Sequence, residues 1–518
     1  MSKIVKNNTA SPILINDVGV TIPASGQYTI PPIDYLLWAG SGDIIVEIGN
    51  SNVTVNDGSN DLGISDGTDL IKGLFPNPIG IQGSDGTQIG NTGDRLKTET
   101  EIVLQENFPV TFPEYEDILY RIRTTQPRQL FQAQWGFNGQ PLAWSNQITG
   151  GATLLQPQDT GHNFIQFQTT SASGDKVVYQ TKRYFRYQPS RNHSLTFACG
   201  FNDIKANCVK KVGQFDDDPT EGQNGFYIQQ DGTGLKFVIA ATSSGSQTYT
   251  TISRGNWNVD NLDGNGPSGL NYTDFELGNA AVWNIDYSWY GASVVQFNIV
   301  IGSTRIVLHE ETFSLLNRTF PFTKTAFLPL RVEMENTGTV SGGGFITIGS
   351  ISYDIENGEA NEFGFQFAAA NGVNGRSVNS NTNPTYLLAL RPKATVNGIV
   401  NRGVLVPNNV NVLSSNDLFI EVLVGGVATG GTWVDNGVNS IAEYNVTATG
   451  YTGGRVVLSD YISTGGGRGS GALATSFPGD LFAAIDSLLG NQEAIVIRAR
   501  KISNNGTAYA SLSYKEVY

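Results

Sequence analysis

His162, His193 and His309 are the only imidazoles in a chain of 518 residues, and no two stand at metal-ligand spacing. No nucleophile motif replaces them. The nearest approach to a serine elbow is Gly469–Ser470–Gly471, where Arg468 stands in place of the required first glycine. Phosphate-loop, HExxH and CxxC patterns are absent from the sequence. Carboxylates beside aromatics could form a glycosidase pair, and Asp231, Asp260, Asp263, Asp286 and Glu335 are the best placed. Such residues at turns are also ordinary in β proteins, so no catalytic residue is assigned. The acidic clusters at 215–225 (FDDDPTEGQNG) and 260–266 (DNLDGNG) carry the oxygen chemistry calcium prefers. Neither places Asp or Asn at every second position, and no metal or cofactor is assigned. Cys199 and Cys208, nine positions apart, read as buried thiols, with a hairpin disulfide as the open alternative.

The richest recognition chemistry lies between Arg254 and Tyr290, which holds three of the seven tryptophans: Trp257, Trp283 and Trp289. Trp283, Ile285, Tyr287 and Trp289 alternate with Val282, Asn284, Asp286 and Ser288, the period of a strand over a sandwich core. Before it, residues 260–269 contain Pro267 and several glycines and must turn repeatedly. Sugars stack on aromatic rings and hydrogen-bond to Asn and Asp, so Trp257, Asp260, Asp263, Tyr249 and Tyr290 form the candidate contact loop. Core packing uses the same residue types and is the competing reading, stronger for Trp283 and Trp289.

The elements that must carry these residues are strands. Only 15% of the chain is charged, glycine appears 61 times, and the formal net charge is −14. This is the composition of a turn-rich, all-β protein with a polar surface, and its acidity argues against nucleic acid as partner. No apolar run reaches membrane-spanning length, so no membrane insertion is expected, and the first residues lack a signal-peptide core. Short Val/Ile-rich runs, including 13–22 and 43–55, predict a small β module over 1–72. Residues 73–127 read as an extended arm with one short helix at 114–123. A dense series of antiparallel strands predicts a jelly-roll or lectin-like sandwich over 128–356, with 235–242 and 294–301 as central strands. A second β domain follows over 357–518. Inside it Leu481, Phe482, Ile485, Leu488 and Leu489, after Asp480 and before Gly490, predict a helix near 480–489.

Five stretches taken together resemble virion structural proteins of tailed bacteriophages, the tail, baseplate or collar-associated fibre-like proteins. They are GSDGTQIGNTGDRLKT (83–98), VVYQTKRYFRYQPSRNHSLTFACGF (177–201), GFYIQQDGTGLKFVI (225–239), NWNVDNLDGNGPSGL (256–270) and YLLALRPKATVNGIVNRG (386–403). The resemblance spans about residues 75–410 and carries over no catalytic residue. It implies a non-enzymatic virion component made in the bacterial cytoplasm, with a sandwich body. Position and size then suggest that residues 1–127 dock on other virion proteins. Fibre-like proteins self-associate, so a homo-oligomer is expected, a trimer by analogy. The alternative is a lectin-like receptor-binding protein for host surface glycan. A polysaccharide depolymerase stands behind both, because the long repeats of β-helical tailspikes are missing.

Overall fold

The computed structural model describes residues 3–31, 38, 41–56, 118, 127–302, 304–314, 319–356, 363–464, 471–477 and 481–518. The chain forms two compact units, Met1–Pro109 and Val110–Tyr518. The described residues of both form mainly antiparallel β-sheet, and the fold class is all-β, with jelly-roll, lectin-like sandwiches. No described helix is long and apolar enough to cross a membrane.

In the first unit, Lys3–Asn7 is the middle strand between Gln27–Ile30 and Val53–Asn56, and Ile13–Ile15 pairs with Val20–Ile22. The run at 43–55, expected to be extended throughout, instead opens as a helix, Gly42–Gly49. Ser41 explains the difference: its hydroxyl accepts from Ile44 N at 3.1 Å and donates to Asp17 at 2.6 Å. A capped start with Asp43 in the first turn satisfies backbone donors that a strand there would leave to find partners. Ile44 and Ile48, one turn apart, then bury together against Trp38, Val5 and Val53. The predicted arm at 73–127 lies outside the described residues except for Ile118, a buried turn residue, and Pro127; the helix expected at 114–123 is likewise outside them apart from Ile118.

The second unit contains two sandwiches in succession. In the first, a seven-stranded sheet runs in spatial order Thr248–Ser253, Gly234–Ala241, Gly222–Asp231, Cys208–Asp218, Leu330–Asn336, Lys176–Thr181 and Trp144–Thr149. The facing eight-stranded sheet runs Thr304–Thr312, Val294–Ile301, Ala281–Ser288, His193–Gly200, Phe345–Ile355, Ile165–Gln168 and Thr153–Leu155, with Arg128–Gln134 sharing the edge of Phe345–Ile355. Between them lie Trp135, Trp144, Tyr179, Phe197, Phe237, Trp283, Phe297 and Tyr353, all nearly free of solvent. The continuously apolar strands Gly234–Ala241 and Val294–Ile301 are each second from an edge, not central. The first is apolar on both faces because Val238 and Ala240 pack with Phe215 and Tyr227 in a small cluster of their own.

The second sandwich sets a five-stranded sheet, built on Gly506–Val517 and Val404–Ser414, against a six-stranded one built on Leu418–Thr429 and Ala494–Lys501. Leu388, Leu390, Leu405, Val412, Ile420, Val422, Ile497, Leu512 and Tyr514 fill its core. The helix expected near 480–489 does not form. Ala483 bridges to Leu405 and Ile485 to Gln492, while Asp486 accepts from Leu488 N at 3.0 Å and Leu489 N at 2.9 Å. The Asp486 carboxylate offers those two amides a turn in place of helical partners, and the predicted apolar stripe is broken: Leu489 is left half exposed.

Candidate functional site

The five candidate contact residues do not gather on one surface. Trp257 is 5% exposed and stacks on Phe237 at 4.5 Å within the core. Asp260 is 2% exposed, and its carboxylate accepts from Leu262 N and Ser268 N, both at 2.8 Å, pinning the loop from inside. A side chain at Gly266 would collide with that carboxylate, whose nearest oxygen lies 2.2 Å from a Cβ position. Asp263 is exposed and closes a local turn through Asn265 N at 2.9 Å. Tyr249 and Tyr290 are about half exposed but stand on separate elements: Tyr249 on Thr248–Ser253, Tyr290 beside Tyr187 just after Ala281–Ser288. Arg254 staples the loop, donating to the carbonyls of Asn261, Leu262 and Tyr272 and to Asp274 at 2.6 Å. So ordered a loop presents a fixed shape, and its aromatic and acidic groups serve mainly to hold it.

Trp283, Ile285 and Tyr287 are fully buried, but so are Asn284, Asp286 and Ser288 on the other face of the same strand. Asn284 donates to Ser194 at 2.7 Å and Thr196 at 3.0 Å and accepts from Asn298 at 2.8 Å. Asp286 pairs with Arg305. A polar ladder therefore covers the outside of this sheet.

Each carboxylate weighed for glycosidase chemistry has a structural partner. Asp231 holds Lys236 at 2.6 Å, Glu335 holds Lys176 at 2.9 Å, and Asp286 and Asp260 are engaged as above. Among the described residues no group of three or more His, Cys, Asp or Glu is placed to hold a metal. In the acidic run at 215–225, Asp216 faces an arginine and Asp218 caps its own turn through Thr220 N at 2.7 Å. Cys199 and Cys208 are both buried and form no disulfide. His162 is exposed, and His309 lies between Asn258 N and Glu311. His193 accepts from Gln188 N at 3.0 Å and meets the Tyr353 hydroxyl at 2.7 Å, which meets Tyr287 at 2.8 Å. Burial pushes its pKa down to about 3; Arg191 adds to this, and only the Gln188 carbonyl works the other way.

What the sequence reading missed is the seam between the two sandwiches. Ser145 donates to Asp486 at 2.5 Å, Gln180 to Ser487 at 2.7 Å, Ser487 N to Lys182 O at 2.8 Å, and Lys182 pairs with Glu493 at 2.9 Å. Arg402, its side chain 6% exposed, reaches across to Asp216 at 3.0 Å and Glu221 at 2.6 Å and lies over the Tyr184 ring. Burial raises the Asp216 carboxyl to about 6 against the pull of Arg402. Gln180 also accepts from Arg331, which with Lys176 and Lys211 surrounds the buried Glu333. Burial alone would raise Glu333, yet these three cations hold it far below the usual carboxylate range.

Beside the seam is a cleft of about 550 Å³, within the size range of small-ligand pockets. Its walls come from Arg128–Phe131 and residues 182–186 of the first sandwich and from Arg402, Arg455, Phe482, Glu493, Lys515, Val517 and Tyr518, among others, of the second. Of the described residues lining it, seven are Lys or Arg and one, Glu493, is acidic. No local signal could have announced it, because its two walls come from separate sandwiches far apart in the chain.

No protein-family model matches this chain, and no curated protein sequence matches it. Among solved structures it is similar to a putative β-glucanase from Mycobacterium abscessus, at 11% identity over 44% of this chain and 100% of that chain, with a TM-score of 0.31. It is also similar to the Bacillus licheniformis β-glucanase, at 10% identity over 45% of this chain and 99% of that one, with a TM-score of 0.28. A legume lectin-like domain from Entamoeba histolytica shares 12% identity over 41% of this chain and 90% of its own, with a TM-score of 0.25. By its own sheets the chain is a multi-sandwich, all-β protein.

Proposed function

We propose that this chain is a non-enzymatic structural component of a tailed-phage virion, made in the bacterial cytoplasm and incorporated into the particle. The observation that carries the reading is its organisation. A small unit, Met1–Pro109, whose described residues are mainly β-sheet, precedes a body in which two sandwiches are joined by ion pairs and hydrogen bonds. One unit to attach and one rigid body to build with is what a particle component needs, and the engagement of the candidate acids in structural pairs fits a role without chemistry. Mass spectrometry of purified particles of the encoding phage should find the full chain as a stoichiometric component. A variant lacking residues 1–109 should drop out of them. A chain absent from washed particles refutes the proposal.

Self-association, with a trimer expected, belongs to the same reading. Light scattering on the purified chain tests it, and a monomer at working concentration would refute it. Lectin-like recognition of a host surface glycan is the second reading. It is favoured by the exposed ring of Tyr249, which lies on the outer side of the seven-stranded sheet opposite Ala240.

A further inference from the structure

We propose that the cleft between the two sandwiches is a binding site for an anionic oligosaccharide, with sugar carboxylates seated on its arginines. The inference stands apart from the assembly reading, since a virion component with an empty cleft would fail it and leave that reading intact. Charge is the first ground. In a chain of net charge −14, seven cationic residues face one cleft; Lys182 is paired with Glu493 and Arg402 with Asp216 and Glu221, while Arg128, Arg186 and Arg455 make no ion pair among the described residues. Cations crowded together repel one another, a cost that a bound anion relieves.

Unmet hydrogen bonding is the second ground. Arg186 donates one guanidinium N–H to the carbonyl of Phe363 at 2.6 Å, which accepts a hydrogen bond but cancels no charge. Its Nε–H is buried with no acceptor, and so is the Nε–H of Arg402. Among the described residues no acid pairs with Arg186, so a ligand carboxylate supplies the charge partner its guanidinium lacks. Arg128 and Arg455 line the same cleft at exposed positions and make no ion pair among the described residues. Guanidinium groups favour carboxylate through paired, planar hydrogen bonds.

Aromatic surface is the third ground, and it separates a saccharide from a simple anion. Phe482 lies under the Arg183 guanidinium at 5.2 Å, Tyr184 lies under Arg402 at 5.2 Å, and Tyr518 is 40% exposed. The first two ring faces are taken by those guanidinium groups, so the exposed ring of Tyr518, in a cleft walled by arginines, is the one that suits a ligand with both apolar C–H faces and carboxylates.

Calorimetry with the full chain tests this using oligogalacturonate, a heparin-derived tetrasaccharide, maltotetraose, sodium sulfate and hexaglutamate. Oligogalacturonate should bind, weaken as salt is added, and outcompete maltotetraose by tenfold or more. Binding of the sulfated tetrasaccharide as well supports an anionic-saccharide site whose charge can be sulfate or carboxylate. Arg186→Gln should weaken binding about tenfold or more. Arg128→Gln and Arg455→Gln, at exposed positions with no ion pair to lose, should weaken it with the melting temperature unchanged. Four results overturn the proposal: no saccharide binding at millimolar concentration, equal affinity for maltotetraose, sulfate alone matching the oligosaccharides, or hexaglutamate binding where the saccharides do not. Full affinity in the Arg128→Gln/Arg186→Gln/Arg455→Gln triple variant overturns it too.

Discussion

His193 should make this protein progressively less stable as the solution is acidified. The ring is fully buried, its Nε2 takes the amide proton of Gln188, and its Nδ1 lies against the Tyr353 hydroxyl, so the neutral ring fits and the charged one does not. Its folded pKa is about 3 against an ordinary value of 6.5. The unfolded chain therefore takes up the proton first, and stability falls as pH drops below 6.5 and keeps falling until about 3. Between about pH 7.5 and about pH 5 the unfolded state gains roughly 2 kcal/mol from protonating this one ring, while the folded state gains almost nothing. Urea melts across that range, with hydrogen exchange of the strand His193–Gly200 corrected for intrinsic rates, should show the loss. His193→Gln keeps a polar group of similar reach but cannot titrate, so its stability curve should be flatter by about that amount. Other groups contribute equally to both proteins, and the difference in slope isolates the imidazole. Equal pH slopes in the two proteins would refute the reasoning, however stable either one is.

Arg402→Met should destabilise the second unit by about 3–5 kcal/mol, because it strands the buried carboxylate of Asp216 and leaves Glu221 with Lys324 alone; thermal melts should register it, and a change under 1 kcal/mol would mean the seam is solvated. Trp257→Ala should behave as a core truncation, costing about 3–5 kcal/mol, since the ring stacks on Phe237; a variant of unchanged stability would return Trp257 to the surface. Ser41→Ala should cost about 1 kcal/mol through the lost cap, read as faster exchange of the amides of Gly42–Gly49.

The sequence alone settled what local period and composition can settle. The alternation of Trp283, Ile285, Tyr287 and Trp289 announced a strand with an aromatic inner face, and the first three of these are fully buried. Strand-length apolar runs between glycine-rich turns announced an all-β chain, because a pleat repeats every two residues whatever the strand pairs with. Period misled where another local force outweighed it. The Ser41 hydroxyl turned an alternating run into a helix, and the Asp486 carboxylate turned a helical stripe into a bent loop. The burial of Asn284 and Asp286 on the polar face of their strand was not legible, since it depends on Ser194, Asn298 and Arg305 in other strands. Nor was the burial of Trp257 and Asp260, which the composition of their loop would equally have placed in solvent. The cleft was beyond any local reading. Arg402 finds Asp216 across 186 residues of chain, and Arg186 comes to line the same cavity only because one sandwich docks on the other. Hydrophobic period is written residue by residue, whereas the partner of a charge is chosen by whichever surfaces the finished fold brings together.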